Sequence, residues 1–329
     1  MLKKLFPGMV GLVIFLVLWE IQRADYLLFH TLTELFGVIV AGSVSILVWN
    51  ARAYIRRPAF FLLGTAFGFV ATFDLLHALA FPGLALLPGA AENRTAQLWL
   101  AARLVEALTL LVFVAWWDRE IDLRLAVGGL AGGSLILLAS ILAWNNFPIA
   151  YQASLGQTPF KIGTEILILC LLLVTLYLLT TRRAEMDQVL FTPLMLGLFF
   201  SFVSEVAITY YTHMVETATV LAHFLKVASF YMFYRAMIVS GIQQPFKVLF
   251  QDLARREVEL DETNRRLSQV NNRLRSVLNA LPVGVIVTDS GGQVIEKNPL
   301  SDGLWGQSVV SAGISGSRRP YQAWIPVTG

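Results

Sequence analysis

Eleven ionisable side chains fall within stretches of this sequence that are otherwise apolar enough to cross a membrane. They are His30, Glu34, Asp74, His77, Arg103, Glu106, Lys161, Glu165, Glu205, His223 and Lys226, and we refer to them together as the polar layer. A charge in hydrocarbon is costly, so such residues turn toward protein, water or a ligand. Residues that recur at one depth therefore predict one shared site, where they can exchange protons, pair with ions or ligate a metal.

The spacing within the polar layer predicts which way its residues face. Ten of them form five pairs, namely His30 with Glu34, Asp74 with His77, Arg103 with Glu106, Lys161 with Glu165, and His223 with Lys226. Residues three or four apart share one face of a helix. Eight formal charges facing lipid, at roughly 1 to 3 kcal/mol each, would cost as much as the stability of a typical domain. The pairs must therefore point inward and compensate one another.

The charges of the polar layer do not balance. Five carboxylates stand against three permanent cations, which leaves two negative charges when the histidines are neutral. Protonated carboxylates, two protonated histidines or a bound cation would supply the balance. Three histidines near carboxylates suit zinc or copper, so His30, His77 and His223 are candidate metal ligands. A small organic ligand is equally open, and so is a structural role as ion pairs between helices.

The rest of the sequence indicates a membrane protein. Its 329 residues are 56% hydrophobic and 14% charged, with a mean hydropathy of +0.65, which is too apolar for a soluble domain. A span needs ~20 apolar residues. Such runs predict eight spans, at 5–22, 27–51, 59–81, 96–117, 123–144, 160–181, 189–211 and 218–240. A basic start before an apolar run is also typical of a secretory signal peptide, but the sequence after it offers no small-x-small cleavage site.

The basic residues of the connections predict the orientation. Nine fall on one side, namely Lys3, Lys4, Arg52, Arg56, Arg57, Arg119, Arg124, Arg182 and Arg183, and only Arg23 and Arg94 on the other. The first side is therefore cytoplasmic, both termini are cytoplasmic, and the polar layer lies in the outer leaflet, with His213 in a short outer loop. The net charge of +3 follows from this bias and needs no nucleic-acid partner.

The composition changes at residue 241, where the apolar runs give way to a charged arm that favours helix. Residues of this arm recur every seven positions, with Leu253, Leu260, Leu267 and Leu274 at one core position and Asn264 and Asn271 at the other. Such heptads predict a coiled coil, and asparagines at these positions favour a parallel homodimer in fixed register. The alternative is a single amphipathic helix packed on the rest of the chain.

The last segment predicts the start of an α+β domain. A short helix ends near Pro282, and an alternating run at 284–289 is followed by a Gly291-Gly292 turn and a second run at 293–299. This pattern predicts a β-hairpin. About fifty residues follow Leu281, fewer than a typical domain needs to bury a core, so we expect the domain to be incomplete.

The motifs of the polar layer resemble a known family. They are the blocks 29–34 and 73–77, Gln97-Leu98-Trp99 with Arg103 and Glu106, Thr158 to Lys161 with Glu165, Ser204-Glu205, and His223 with Lys226 before Phe230-Tyr231. Over residues 9–250 the chain is similar to the third membrane-associated sensor domain family, which implies an integral-membrane input module of a prokaryotic signalling protein. The segment after Ser276 resembles the start of a PAS domain, with Asn298-Pro299 after its second strand.

We therefore expect an all-α polytopic membrane protein with eight transmembrane helices, a cytoplasmic coiled coil and a partial α+β PAS domain. The predicted boundaries are 1–242 for the membrane sensor, 246–279 for the coiled coil and 280–329 for the PAS segment. The resemblance implies a multi-pass protein of the prokaryotic cytoplasmic membrane, whose output domain is most often a histidine kinase or a cyclic-dinucleotide enzyme. No residue of this chain is predicted to be catalytic. The alternatives are a secondary transporter and a metal- or haem-binding membrane protein.

Overall fold

The computed structural model describes residues 2–53, 55, 57–87, 89, 91–120, 122–209, 217–238, 244–290 and 293–305. The chain forms two compact units, Met1–Val248 and Leu249–Gly329. Four features discussed in the sequence analysis lie outside the described residues. They are His213, the Gly291-Gly292 turn, the start of the predicted break at 241–243 and the tail from 306.

Eight long helices form most of the described part of the first unit. They are α1 Leu2–Ala24, α2 Tyr26–Asn50, α3 Pro58–Ala80, α4 Ala91–Ala115, α5 Leu123–Leu142, α6 Pro159–Thr181, α7 Gln188–Thr209 and α8 Thr217–Tyr234. Each coincides to within a few residues with one predicted apolar run. Among the described helices, α2 to α7 are long and apolar enough to cross a membrane. The count of eight spans stays a prediction.

Side-chain caps and prolines fix where several helices begin. Asp25 precedes α2 and accepts a hydrogen bond from the backbone N–H of Leu28 at 3.0 Å. Thr158 does the same for the N–H of Lys161 at 3.3 Å, and Pro159 occupies the first turn of α6. A cap satisfies one of the donors that a helix start leaves unpaired, and proline has no N–H to lose there. The start of α6 therefore holds Lys161 at a defined depth.

Close approach of α2 and α3 depends on a small residue at their contact. A Cβ atom added to Gly64 would lie 2.5 Å from Cγ1 of Val48, whose side chain is buried. The same holds between α7 and α8, where a Cβ on Gly197 would lie 2.7 Å from the Phe233 ring. Small residues let helix backbones pack tightly where no hydrophobic force drives association. Both contacts join helices that carry polar-layer residues.

Arginines gather at the helix ends opposite the polar layer. Arg57, before α3, pairs with Asp118 after α4, and its guanidinium lies 4.1 Å from the centre of the Trp117 ring. Arg182, after α6, donates to the carbonyl of Ala115 at 3.1 Å. The Arg57 guanidinium lowers the pKa of the half-exposed Asp118 carboxyl below its ordinary value by donating a hydrogen bond to it. These helix ends are the ones that the charge bias of the sequence assigns to the cytoplasm, and that orientation stays a prediction.

A short hairpin between α5 and α6 was not predicted from the sequence. Strand β1, Tyr151–Gln152, pairs antiparallel with β2, Gly156–Gln157. The Asn93 side chain accepts hydrogen bonds from the N–H groups of Ala150 and Tyr151 at 2.8 and 3.1 Å. Two-residue strands leave no periodicity to detect. The hairpin is held against the start of α4, at the same helix end as the polar layer.

A long helix, α9, Gln244–Ala280, contains the predicted arm, and most of it belongs to the second unit. Its heptad leucines lie on the surface of the single copy, with Leu253, Leu260, Leu267 and Leu274 between 53% and 69% exposed. An exposed leucine every second turn is unusual for a solitary helix in water. The stripe is what a coiled coil requires, and the dimer itself stays a prediction.

The predicted hairpin that follows α9 is confirmed. Strand β3, Ile286–Thr288, pairs antiparallel with β4, Val294–Lys297, before the short helix α10, Pro299–Trp305. Asn298 is buried between these elements. Its Nδ2 donates to the carbonyls of Leu278 and Val283 at 3.0 and 2.8 Å, and its Oδ1 accepts from Val285 N at 2.8 Å. One side chain therefore ties the end of α9 to the hairpin.

We predict that Gly64→Ala destabilises the first unit by about 1–3 kcal/mol, because the added methyl group meets Val48 and α2 must move away from α3. Reversible unfolding in mixed detergent micelles measures this change. Gly128→Ala in α5 is the matched control, since a Cβ there meets nothing within 4 Å, and it should be neutral or slightly stabilising. Equal loss in both variants would contradict the packing account.

A buried polar cluster as the candidate functional site

All eleven residues of the polar layer are buried in the structure, each at most 5% exposed. They come from α2, α3, α4, α6, α7 and α8. The predicted inward orientation is therefore observed, while a role of these residues in binding a ligand stays a prediction. Charged side chains are rarely buried unless they are paired with an opposite charge or a hydrogen-bond partner.

Asp74 on α3 is the centre of the largest ion-pair network. Nη2 of Arg103 on α4 lies 2.8 Å from both carboxylate oxygens of Asp74. Nζ of Lys226 on α8 lies 3.2 Å from Oδ1 of the same carboxylate and 2.6 Å from Oε2 of Glu34 on α2. Two cations and two carboxylates thus alternate across four helices. Each charge has an opposite charge beside it, which is the condition for burying it.

Glu106 extends this network to a fifth helix. Arg103 donates to Glu106 one turn along α4, and the hydroxyl of Ser201 on α7 donates to the other Glu106 oxygen at 3.2 Å. Trp99 lies over the two cations, with the Arg103 guanidinium 5.1 Å and the Lys226 ammonium 4.7 Å from its ring centre. A cation over an aromatic face is stabilised when water is excluded. Trp99 therefore completes the enclosure of both charges.

A second group lies on α6 and α7. Lys161 donates to Glu165 one turn along α6 and to Oε1 of Gln157 at 3.1 Å. Glu205 on α7 is 1% exposed, and its Oε2 makes no hydrogen bond among the described residues. Two carboxylates therefore stand against one lysine here. In the network around Asp74, three carboxylates stand against Arg103 and Lys226. Each group is short of one positive charge.

The three histidines predicted as candidate ligands lie together. Nε2 of His30 is 3.3 Å from Nε2 of His77, and the ring centres of His30 and His223 are 4.9 Å apart. His77 Nδ1 lies 2.9 Å from the carbonyl of Thr95, and His223 Nδ1 lies 2.6 Å from the carbonyl of Thr219. A carbonyl only accepts, so both Nδ1 atoms carry the proton and donate it. In the neutral rings of His77 and His223, Nε2 is then left with a free lone pair.

Glu34 lies beside the histidines. The sequence placed Glu34 in the polar layer but did not predict this contact. Its Oε1 lies 3.4 Å from Nε2 of His223, while Oε2 is held by Lys226. His30, Glu34 and His77 each offer one ligand atom within 4.8 Å of the others. Glu34 is four residues from His30 and shares its helix face. The two oxygens of Glu34 thus connect the histidines with the ion pairs.

A small cavity opens beside the histidines. Its volume is about 40 Å³, and its lining comprises His30, His77 and His223 with Tyr26, Phe81, Thr95, Ala96, Trp99, Lys161, Ile208 and Thr219. A buried water occupies ~10–15 Å³ of such a cavity. The cavity therefore has room for an ion or a few waters.

Sequence reasoning missed several residues that shape this cavity. The ring of Phe81 stacks on that of His30 with centres 3.7 Å apart, and Tyr26 donates a hydrogen bond to Thr219 at 3.3 Å. Thr219 precedes His223 by four residues, the spacing at which a helical histidine can reach a backbone carbonyl, so that partner was detectable. Phe81 and Thr95 are paired with their histidines only by tertiary packing.

The chain belongs to the MASE3 membrane-associated sensor domain family, whose model matches residues 21–245. This match covers more than half of the sequence and confirms the resemblance carried by the polar motifs. Searches of curated proteins and of solved structures found no significant match. The protein is thus a multi-pass membrane protein with a sensor domain, and every residue of the polar layer lies inside the matched region.

We predict that Asp74→Asn lowers the free energy of unfolding by about 3–5 kcal/mol, because Arg103 and Lys226 lose the carboxylate between them while both stay buried. Unfolding in mixed micelles measures the loss. Asp118→Asn is the control, since this half-exposed carboxylate also lies between two arginines, Arg57 and Arg182, and should change stability little. Similar losses in both variants would refute the central place of Asp74.

Proposed function

We propose that this membrane-associated sensor domain receives its stimulus at the polar cluster and relays it through α8 to the arm that follows. One observation carries the proposal, namely that buried charges from six helices meet beside an ion-sized cavity at one helix end. Groups that change protonation or bind an ion there alter several helix contacts at once. Structural ion pairs alone do not need three histidines around a cavity.

The link to the arm is α8. It carries His223, which lines the cavity, and Lys226, which holds Glu34 and Asp74. Any event that draws Glu34 toward the histidines weakens its pairing with Lys226 and shifts the balance of contacts on α8. Residues 235–238 after α8 form a π-helical turn, a departure from regular helix that is frequent at functional sites. A helix shift of this kind is a common form of signalling motion.

The proposed topology places eight spans in the cytoplasmic membrane of a prokaryote, with both termini in the cytoplasm and the cluster in the outer leaflet. Six helices satisfy the length and composition of a span. Arg57 and Arg182 at the far end support the orientation, because basic connections stay cytoplasmic.

The proposed partner of the arm is a second copy of this chain. The exposed leucine stripe of α9 recurs every seven residues and is self-complementary in a parallel pair. Asn264 and Asn271 would lie at the interface, where they specify register at a cost in stability. A marginal coiled coil suits a relay, since small changes in register or supercoiling are then accessible.

The proposed receiver of the signal is a PAS domain that begins after α9, with a histidine kinase or cyclic-dinucleotide enzyme as the output of the parent protein. The hairpin β3–β4 and its attachment to α9 through Asn298 support this part of the proposal. Because that attachment is built from hydrogen bonds to buried Asn298, a rotation of α9 would be transmitted to the hairpin.

We predict that His77→Ala and Glu205→Ala each abolish the response of the arm to the stimulus without preventing membrane insertion. The chain in lipid nanodiscs is exposed to a range of pH values, transition-metal ions and small organic molecules, and amide hydrogen exchange is followed in α9. Conditions that change exchange in the wild type should leave both variants unchanged. His213→Ala and Glu185→Ala are the matched controls, because His213 is outside the polar layer in the sequence and Glu185 is exposed. If both cluster variants respond like the wild type, the cluster is structural.

We predict that replacing Asn264 and Asn271 together by isoleucine strengthens the dimer and holds the arm in one state, because apolar residues then fill both interface positions. Analytical ultracentrifugation and cysteine crosslinking at Leu260 measure the dimer. Isoleucine at Gln269 and Ser276, which the heptad places on the outer face, is the matched control and should leave association unchanged. If both double variants dimerise as strongly as the wild type does, the result would count against a coiled-coil dimer.

A further inference from the structure

We propose that His30, His77 and His223, together with Glu34, bind one divalent first-row transition-metal ion. The inference deepens the proposed function, and it rests on that function only in the claim that the ion is sensed. The donor atoms are Nε2 of the three histidines and Oε1 of Glu34. They come from α2, α3 and α8, so an ion held by all four would clamp three helices together.

The hydrogen bonds behind the rings prepare two of the histidines as ligands. Thr95 and Thr219 accept the Nδ1 protons of His77 and His223 through their backbone carbonyls. A metal-bound histidine almost always donates its other ring N–H to an oxygen in this way, which fixes the tautomer and orients the ring. Both rings thus present Nε2 to the centre of the cluster.

Two separations between the proposed donor atoms match those of a tetrahedral site. With metal bonds of ~2.0–2.2 Å, neighbouring ligand atoms of a tetrahedral zinc lie about 3.3–3.6 Å apart. The separations are 3.3 Å between Nε2 of His30 and His77, and 3.4 Å between Nε2 of His223 and Oε1 of Glu34. His30, Glu34 and His77 offer atoms within 4.8 Å of one another.

Two of the four donors have unmet bonding capacity. Oε1 of Glu34 and Nε2 of His223 are buried and make no hydrogen bond among the described residues. A buried polar atom without a partner costs about 1–3 kcal/mol, and these two atoms lie 3.4 Å apart. A cation between these two atoms removes both costs. The cavity beside them also leaves room for the ion and a water ligand.

The charges around the site favour a divalent ion that binds reversibly. The polar layer as a whole lacks two positive charges when its histidines are neutral, a deficit equal to the charge of one divalent ion. Lys226 lies 2.6 Å from the other oxygen of Glu34, with Arg103 and Asp74 behind it. The lysine reduces the affinity by repulsion. Such a site releases its ion more readily than a purely structural one, as a sensor requires.

The donor set also selects the class of metal. Three imidazoles and one carboxylate suit Zn²⁺, Cu²⁺, Ni²⁺ or Fe²⁺, whereas Mg²⁺ and Ca²⁺ require oxygen ligands. The alternative without a metal is a hydrogen bond from His30 Nε2–H to His77 Nε2, which the 3.3 Å separation also permits. In that case the cluster is occupied by protons only, and it has no measurable affinity for these ions.

The test uses the whole chain in lipid nanodiscs after removal of metals with a chelator. Binding of Zn²⁺ and Co²⁺ is measured by elemental analysis after dialysis and by the visible ligand-field bands of Co²⁺. We expect one ion per chain, with spectra typical of tetrahedral nitrogen and oxygen ligands. His223→Gln and Glu34→Gln keep the side-chain size or shape, and each should weaken binding at least 10-fold. His213→Ala, the remaining histidine of the sequence, should bind like the wild type.

Two results would overturn the inference, namely no stoichiometric ion in the wild type, or unchanged affinity in His223→Gln and Glu34→Gln. Thermal unfolding of each variant without metal shows whether it is folded, and His30→Gln serves as a further ligand variant if one of them is not. The proposed function fails separately. Stoichiometric binding that leaves hydrogen exchange in α9 unchanged would support the metal site but contradict its role in sensing. A response of α9 to the stimulus without metal binding would support the proposed function but contradict the metal site.

Discussion

The pairing of Asp74 with Arg103 and Lys226 is the interaction on which the rest of the first unit depends. None of these side chains can face lipid, and none can be buried alone, so α3, α4 and α8 must meet where the three charges meet. Glu34 brings α2 into the same network, because its Oε2 lies 2.6 Å from Nζ of Lys226. The small residues Gly64 and Gly197 then permit the close helix packing that holds these charges at contact distance.

The same constraint is the physical basis of the sensing role that we propose for the cluster. Each of its two groups is one positive charge short, and the carboxylates of Glu34 and Glu205 retain oxygens without a hydrogen bond among the described residues. Such an arrangement is stable only in balance with protons or a bound ion. A change in either would alter the contacts between helices, because the residues proposed to respond are also those that join the helices. Packed helices respond to such a change by shifting between arrangements and not by gradual deformation.

Much of this architecture was predictable from the sequence, since it follows from local pattern. Apolar length located the helices, and i, i+3 or i, i+4 spacing placed ten of the eleven polar-layer residues on inner faces. The heptad and the alternating runs predicted α9 and the hairpin after it. What could not be predicted depends on tertiary contact. The carbonyl of Thr95 fixes the tautomer of His77 from another helix, and Glu34 connects histidines with ion pairs through its two oxygens. The two-residue strands β1 and β2 carry no periodic signal at all.

The most direct test of the account is whether a change at the cluster moves the far ends of the helices. Nitroxide labels at Asn50 and Arg235, both exposed and near the ends of α2 and α8, are introduced after replacement of the exposed Cys170 by serine. Pulsed electron paramagnetic resonance then measures the distance between them in nanodiscs. The account predicts a different distance distribution when transition-metal ions are added, or when the pH falls from about 8 to about 5, the range in which histidines titrate. The same distribution under all these conditions, in protein shown to bind the ion or take up protons, would contradict it.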